Sequence, residues 1–225
     1  ILDEYLAIKD KADPHYLIAT NWLGQQGITA EKITNTHRET FLGIVAERYY
    51  QVVSAAIHTY DPNHMYLGSR LHGKPKHNAR IVKAAGKYSD IISINYYGQW
   101  EPLGKHFSEW RKWTDKPIII TEFYTKGDDS GMPNMSGAGW RVPTQNDRGL
   151  FYENFCIKLL QMKNCVGWNW FRYMDNDPTD TTSDPSNSDS NKGIVNNNYE
   201  FYQPLMDHMQ ELNMNRYNLI RYFDR

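Results

Sequence analysis

Glu122 closes the run Lys116-Pro117-Ile118-Ile119-Ile120-Thr121 and is followed by Phe123. An apolar run of this length, opened by a proline, reads as a strand buried on both faces of a parallel sheet. In such sheets chemistry gathers at the carboxyl ends of the strands, where the following loops meet. A carboxylate at that point can serve as nucleophile or general base. The plainer alternative is a strand-end carboxylate paired with a nearby Arg or Lys. Tyr97 ends the preceding strand-like run, Asp90-Ile91-Ile92-Ser93-Ile94-Asn95-Tyr96-Tyr97. Adjacent parallel strands would bring its hydroxyl to Glu122, where it would orient the carboxylate and stabilise its charge.

Other side chains invite the same question. Trp170, on the next strand-like run, could floor a sugar site, and core packing is nearly as good a reading. Trp100 and Trp140 fall in the loops after the second and third strands, as site walls or as loop anchors. Arg70, His72 and Lys74 form a basic cluster after the first strand. A solvated turn is the default there. The alternative is contact with an anionic substrate group such as sulfate, for which arginine has the matching fork geometry. Residues 174–199 are dominated by Asp, Asn, Ser, Thr and Pro. They read as a solvated loop, or as a wall of the site after the last strand. Asp175, Asp177, Asp180 and Asp184 could hold calcium, although their spacing does not match an EF-hand loop.

These groups need elements to position them. Residues 2–11, 14–22 and 36–60 read as helices, the second started by Asp13-Pro14 and ended near Gly24 and Gly27. In the third, Phe41, Ile44, Val45, Val52, Val53, Ala56 and Ile57 form the apolar stripe. Strands then begin at 65, 91, 117 and 166, alternating with helices over 77–88, 107–113, 144–163 and 203–213. The first two intervals are equal; the third is longer by the loop over 124–143. Regular alternation of this kind predicts one α/β domain over 1–225, with a parallel sheet covered by helices. Four such units make a small doubly wound sheet or half of an eight-fold barrel. No Gly-x-Gly-x-x-Gly follows a strand and no Gly-x-x-x-x-Gly-Lys occurs, so no nucleotide cofactor is indicated. Along the second strand Ser93, Asn95 and Tyr97 share one face, while Ile92, Ile94 and Tyr96 share the other. Polar groups that grow toward the strand's end favour a barrel interior opening into a site.

Composition sets the outer limits. The 225 residues are 40% hydrophobic and 23% charged, which supports a core and argues against disorder. A net charge of −1 gives no electrostatic case for nucleic acid. No run is long and apolar enough for a membrane span. Seven Trp and 16 Tyr suit sugar-stacking surfaces as well as ordinary cores. Cys156 and Cys165 read as buried free thiols rather than a disulfide or a zinc site. The first residues show neither an initiator Met nor a leader-like segment, so the start reads as set by processing or cloning.

Taken together, Glu122 in Ile-Ile-Ile-Thr-Glu-Phe, Tyr97 in Ser-Ile-Asn-Tyr-Tyr and Trp170 in Gly-Trp-Asn-Trp-Phe-Arg-Tyr resemble the last four strands of the (β/α)8 clan of retaining glycosidases. Three stretches look most like β-agarases and β-porphyranases. They are Tyr66-Leu67-Gly68-Ser69-Arg70, the loop 131–148 closing on Gln145-Asn146-Asp147-Arg148-Gly149, and Trp170-Phe171-Arg172-Tyr173 followed by Asp175. The resemblance implies the C-terminal half of a TIM barrel, strands five to eight, acting on a red-algal galactan by endo cleavage. Glu122 would be the nucleophile, Tyr97 its hydrogen-bond partner and Trp170 the platform under the reacting sugar. Arg70 and His72 would line the cleft, with Asp175 and Arg172 as further contacts. No cofactor is implied. A polymeric substrate implies a periplasmic, cell-surface or secreted protein.

Retaining glycosidases need two carboxyls roughly 5–5.5 Å apart. In the family resembled, the second follows an Asn at the end of the fourth strand, and no Asn-Glu pair precedes the first strand here. Asp3-Glu4 begins a helix and Glu47 lies within one. The acid/base is therefore expected upstream of this chain, and the fragment alone is expected to be inactive. A half barrel also exposes two sheet edges, to be completed by an N-terminal half, by a second copy or by rearrangement. The competing readings are a carbohydrate-binding or structural fragment without catalysis, and an unrelated barrel enzyme using Glu122 as general base.

Overall fold

The computed structural model describes residues 1–180, 182–185 and 187–225. Its centre is a parallel sheet of β1 (Ile92–Asn95), β2 (Ile118–Glu122) and β5 (Cys165–Trp168), in the order β1-β2-β5. Each strand lies beside the one before it in sequence, with no reversal of the kind that marks a doubly wound sheet. Outside the regular strands, Leu71 bridges Ile94 in parallel on the other side of β1. The helices α4 (Ala79–Tyr88), α5 (Gly104–Trp113), α6 (Gln145–Gln161) and α7 (Gln203–Phe223) accompany the sheet.

Caps explain most of the boundaries. Asp13 accepts from His15 N–H at 2.7 Å, and Pro14 opens α2 (Pro14–Gln26). Gly27, at φ 64°, takes the left-handed conformation that ends it. Thr34 and His37 form a reciprocal box at the start of α3 (Asn35–Tyr60), as Thr144 and Asp147 do at the start of α6. Asn78 caps α4 by accepting from Arg80 N–H and Ile81 N–H. The opening helix α1 (Leu2–Leu6) is shorter than the expected 2–11, whereas α7 runs ten residues past its expected end at 213. No glycine or proline interrupts the chain after Asn213, and Leu219 still packs against the core.

Three expectations about elements are corrected. Residues 65–70 do not form a regular strand. The segment runs beside β1, with Asp90 N–H donating to Tyr66 O at 2.8 Å and Leu71 N–H to Ser93 O at 2.9 Å. Between them Gly68 adopts φ +68°, against Ser89, and breaks the ladder. The stripe of α3 is borne out in part: Phe41 is buried and Val45, Val53 and Ile57 pack against the cores, but Ile44, Val52 and Ala56 are exposed and Tyr50 and Ser54 are buried instead. The long loop after β2 holds a second small parallel sheet, β3 (Thr125–Gly127) with β4 (Trp140–Val142).

The main core lies between the sheet and its helices. Ile92, Ile94, Ile118 and Ile120 are all at most 2% exposed. Phe123 stacks on Phe155 at 4.3 Å and 9°, and Tyr96 meets Phe155 edge-on at 5.9 Å. A smaller cluster of Leu2, Ala19, Trp22, Leu23 and Phe41 ties α1 and α2 to α3. Both cysteines are free thiols, and burial pushes each well up, Cys165 to about 11. Among the described residues no helix is long and apolar enough to cross a membrane. Because Phe155 fills the space behind Phe123 and Tyr96, Phe155→Ala should cost about 3–5 kcal/mol of unfolding free energy. Urea titration checks this, and a loss below about 1 kcal/mol would show that the aromatic stack is dispensable.

Candidate active site

Pairing of β1 with β2 sets the geometry. The register runs Ile92↔Ile118, Ser93↔Ile119 and Ile94↔Ile120, then shifts so that Asn95 lies against Glu122. Tyr96 N–H donates to the Glu122 carbonyl at 2.8 Å, carrying the pairing one residue past β1. Strand alternation then sends Tyr96 into the core, where it is 1% exposed, and Tyr97 to the other face. There the Tyr97 hydroxyl donates to Glu122 Oε2 at 2.8 Å. Arg70 Nη1 donates to Oε1 at 2.6 Å. Each carboxylate oxygen thus has its own donor, and the plane of the group is fixed. Burial first, and then the Glu122 charge, push the Tyr97 hydroxyl far above its ordinary range, so it remains a donor. Thr121 Oγ1 donates to Asn95 Oδ1 at 2.8 Å and anchors the neighbouring side chain.

These groups open into a cavity of about 430 Å³. Asn95, Tyr97 and Glu122 line it from the strand ends, and His72 from the turn after Leu71. His72 meets the Tyr97 ring edge-on at 5.7 Å. The walls come from the two long loops: Tyr124, Gly137 and Ala138 after β2, and Phe171, Asp184 and Asn187 after β5. Gly137 is required where it stands, because a Cβ there would meet Asn187 Oδ1 at 2.3 Å, and its φ is +86°.

The remaining expected site residues scatter. Trp170 does not line this cavity. It packs on Phe123, Phe151 and Tyr152 with its Nε1–H donating to Lys192 O at 2.8 Å. Its neighbour Phe171 lines the cavity instead. The signal was present in the alternation: Trp168 also turns to the helix side, donating to Tyr152 OH at 2.9 Å. Asp175 is 2% exposed and accepts from Asn191 Nδ2, Gly193 N–H and Tyr202 OH, so it is a buried structural group rather than a substrate contact. Trp100 leans on Phe151 at 5.1 Å, and Trp140 sits on β4; each is half-exposed and outside the cavity. Arg172 approaches Asp184 at 3.9 Å from the side of a separate groove beside β5 and α7. Lys74 is exposed on a short turn.

The four aspartates considered for calcium do not converge. Asp177 takes Thr179, Asp180 takes Thr182 and Ser183, and Asp175 is used internally. Among the described residues no three His, Cys, Asp or Glu side chains come together as a metal site. Asp184 has a different partner that the sequence did not reveal: Lys192, whose side chain is 0% exposed, donates to its Oδ2 at 2.8 Å. Burial pushes the Asp184 carboxyl up, but hydrogen bonds from Lys192 and Asn187 outweigh it and hold the group down at about 2. Burial pulls Lys192 below the ordinary lysine range, and Asp184 partly offsets that. The carboxylates weighed as substitutes for the missing acid are elsewhere: Asp3 pairs with Arg38 at 2.7 Å and Glu47 with Lys87.

The Asp184 pair carries a pH signature. Its folded value of about 2 lies below the ordinary 3.8, so its stabilisation is complete above the ordinary value and disappears as pH falls through about 2. Denaturant unfolding from about pH 5 down to about pH 2 should show a contribution on the order of 1 kcal/mol after solvent screening. That contribution should be missing from Asp184→Asn; parallel pH curves for the two proteins would refute it.

No family model matches the chain. The β-agarase B of Vibrio sp. (strain JT0107) is 31% identical over 188 residues, 80% of this chain and 18% of that protein. A solved structure of BpGH50 is 42% identical with a TM-score of 0.89, covering 100% of this chain and 48% of that one. A solved exo-β-agarase is 31% identical with a TM-score of 0.75, covering 85% of this chain and 25% of that one. The chain therefore spans about half of one solved relative and under a fifth of the curated one. By sequence and by fold it is a homologue of the β-agarases, corresponding to part of such a protein.

Proposed function

We propose that this chain is the C-terminal half of the catalytic barrel of a retaining galactan hydrolase, with Glu122 as its nucleophile. The observation that carries the reading is the Glu122 carboxylate at the carboxyl end of β2, held by Tyr97 on one oxygen and Arg70 on the other, facing a cavity. The sequential parallel order of the strands and the β-agarase relatives support it.

In this reading Glu122 attacks the anomeric carbon as the glycosidic bond breaks and the leaving oxygen takes a proton from an acid. Water then cleaves the glycosyl-enzyme, activated by the same group acting as base. Tyr97 and Arg70 keep the attacking oxygens aimed before reaction and stabilise the carboxylate when it is released. Phe171 offers an apolar wall to the sugar ring, in place of Trp170. The acid/base is not Asp184: a carboxyl held at about 2 has no proton to give near neutral pH. The role falls to a carboxyl outside these residues, in the N-terminal half that completes the barrel. The substrate is agarose or porphyran. A polymer of that size is met outside the cytoplasm, which makes the whole protein secreted, periplasmic or surface-bound.

The full-length protein treated with a fluoro-sugar that traps the glycosyl-enzyme should be labelled at Glu122, with no label in Glu122→Gln. Activity of that variant on agarose should fall on the order of 10⁴- to 10⁶-fold, the scale seen when a nucleophile is removed. Labelling at another residue rejects the assignment, and points to Glu122 as a general base. The 225 residues alone should release no reducing ends from agarose or porphyran; turnover by this chain at the full-length rate would contradict the upstream acid/base.

A further inference from the structure

Asp184 stands out because it joins a buried ammonium to the cavity, while also accepting from Asn176 and Asn187 and approaching Arg172. It lies in a polar loop after β5 that reads as solvated, yet it lines the same cavity as Glu122. Behind it the Lys192 ammonium is fully buried, at 0% side-chain exposure, and lies 4.9 Å from the centre of the Phe171 ring. Withdrawing an ammonium from water costs several kcal/mol unless a well-placed anion answers it. Here the answering anion is itself 22% exposed. The pair thus has a dry cationic end inside the fold and an anionic end that reaches the cavity.

The position of that anionic end is fixed. Asn187 Nδ2 donates to Asp184 Oδ1 at 3.2 Å, and Asn187 Oδ1 accepts from the Tyr124 hydroxyl at 3.0 Å. The Tyr124 ring in turn meets Tyr97 edge-on at 5.6 Å, and Tyr97 holds Glu122. Asp184 is therefore tied through three side chains to the group that attacks. Metal binding does not account for the arrangement, since no third ligand gathers there among the described residues. Proton donation does not either, because the carboxyl stays ionised. What an ionised carboxylate offers a cavity is hydrogen-bond acceptance, and a sugar ring presents hydroxyl donors. Charge-assisted bonds of this type are roughly twice as strong as neutral ones.

We propose that Asp184 is a substrate-binding residue that accepts a hydrogen bond from one hydroxyl of the sugar seated against Glu122, with buried Lys192 holding it in place. The inference rests on the reading of this cavity as a glycosidase site. It makes the subsite selective: a sulfate ester at that hydroxyl removes the donor and sets an anion against Asp184. Lys192 acts as a positioning residue, through Asp184 rather than on the sugar.

The test uses the full-length protein and a neutral agarose oligosaccharide with its set of single-deoxy analogues. Asp184→Asn should lower kcat/KM on the parent sugar roughly 10- to 100-fold, the scale of a lost hydrogen bond to a charged group. One deoxy analogue should be cleaved equally by wild type and variant, because the bond is already absent. An equal fold-loss on every analogue would overturn the proposal. Asp184→Leu combined with Lys192→Met removes both charges, so no buried ammonium is stranded if Asp184→Asn folds poorly. It should give the same non-additive pattern. The structure of full-length Glu122→Gln with the oligosaccharide is an independent measure. A sugar hydroxyl within hydrogen-bond distance of Asp184 is expected. A sugar in the cavity with none there rejects Asp184 alone, whereas no sugar against residue 122 rejects the glycosidase reading as well.

Discussion

The hydrogen bond from Tyr96 N–H to the Glu122 carbonyl governs what this fold can do, because it sets β1 and β2 in register where their side chains diverge. Just past β1 one residue faces each way. Tyr96 goes to the core, against Trp110 and Phe155, and Tyr97 goes to the cavity. The irregularity between Ile94 and Asn95 brings the strand ends level. Without it, alternation alone would not place the Tyr97 hydroxyl within hydrogen-bond reach of Glu122. Arg70 arrives from a segment held to β1 through Leu71 and Ser93, so three neighbouring segments converge on one carboxylate.

The cavity walls depend on a second constraint, the joining of the loops after β2 and β5. Asp189 accepts from Met135 N–H and Ser136 N–H, Ser190 Oγ donates to Ser136 O, and Asn191 N–H donates to Asn134 Oδ1. Lys126 donates to the carbonyls of Asn134, Ser136 and Gly137. Beneath them Arg148, fully buried, donates to Thr125 O, Gln145 Oε1 and Gly193 O. Burial pulls that guanidinium down to about 10, with the Asp175 charge opposing the shift. These long polar loops are joined by hydrogen bonds among buried polar groups more than by buried apolar surface, although Thr125 Oγ1 and Asn176 Oδ1 are buried without a partner.

Among the described residues no strand pairs with β5 on the side away from β2. Its far side faces a groove of about 800 Å³ between the strand and α7, where Val166, Tyr173 and Tyr217 are exposed. An unpaired edge of this kind is usually covered or paired. The placement agrees with a chain that spans about half of a solved relative.

Sequence by itself determined most of the elements and the central pair. The helix start at Asp13-Pro14, apolar runs at 92–95 and 118–122, and a period of two were enough to name Glu122 and Tyr97, while His72 was named only as part of the basic cluster after the first strand. These signals are local, carried by residues within a turn or a strand of one another. Tertiary structure decided the rest. Gly68 broke an expected strand, and packing past the end of β5 put Phe171 rather than Trp170 in the cavity wall. Asp175 was drawn into the interior by Asn191, Gly193 and Tyr202, and Arg70 was delivered to Glu122 across 52 positions of sequence. Asp184 was weighed only as a calcium ligand or solvated loop residue and Lys192 was not singled out, because nothing nearby in sequence shows that one will be sealed inside and the other left at the cavity. Burial and charge pairing are properties of the packed chain, and a polar residue's role follows from which distant atoms surround it.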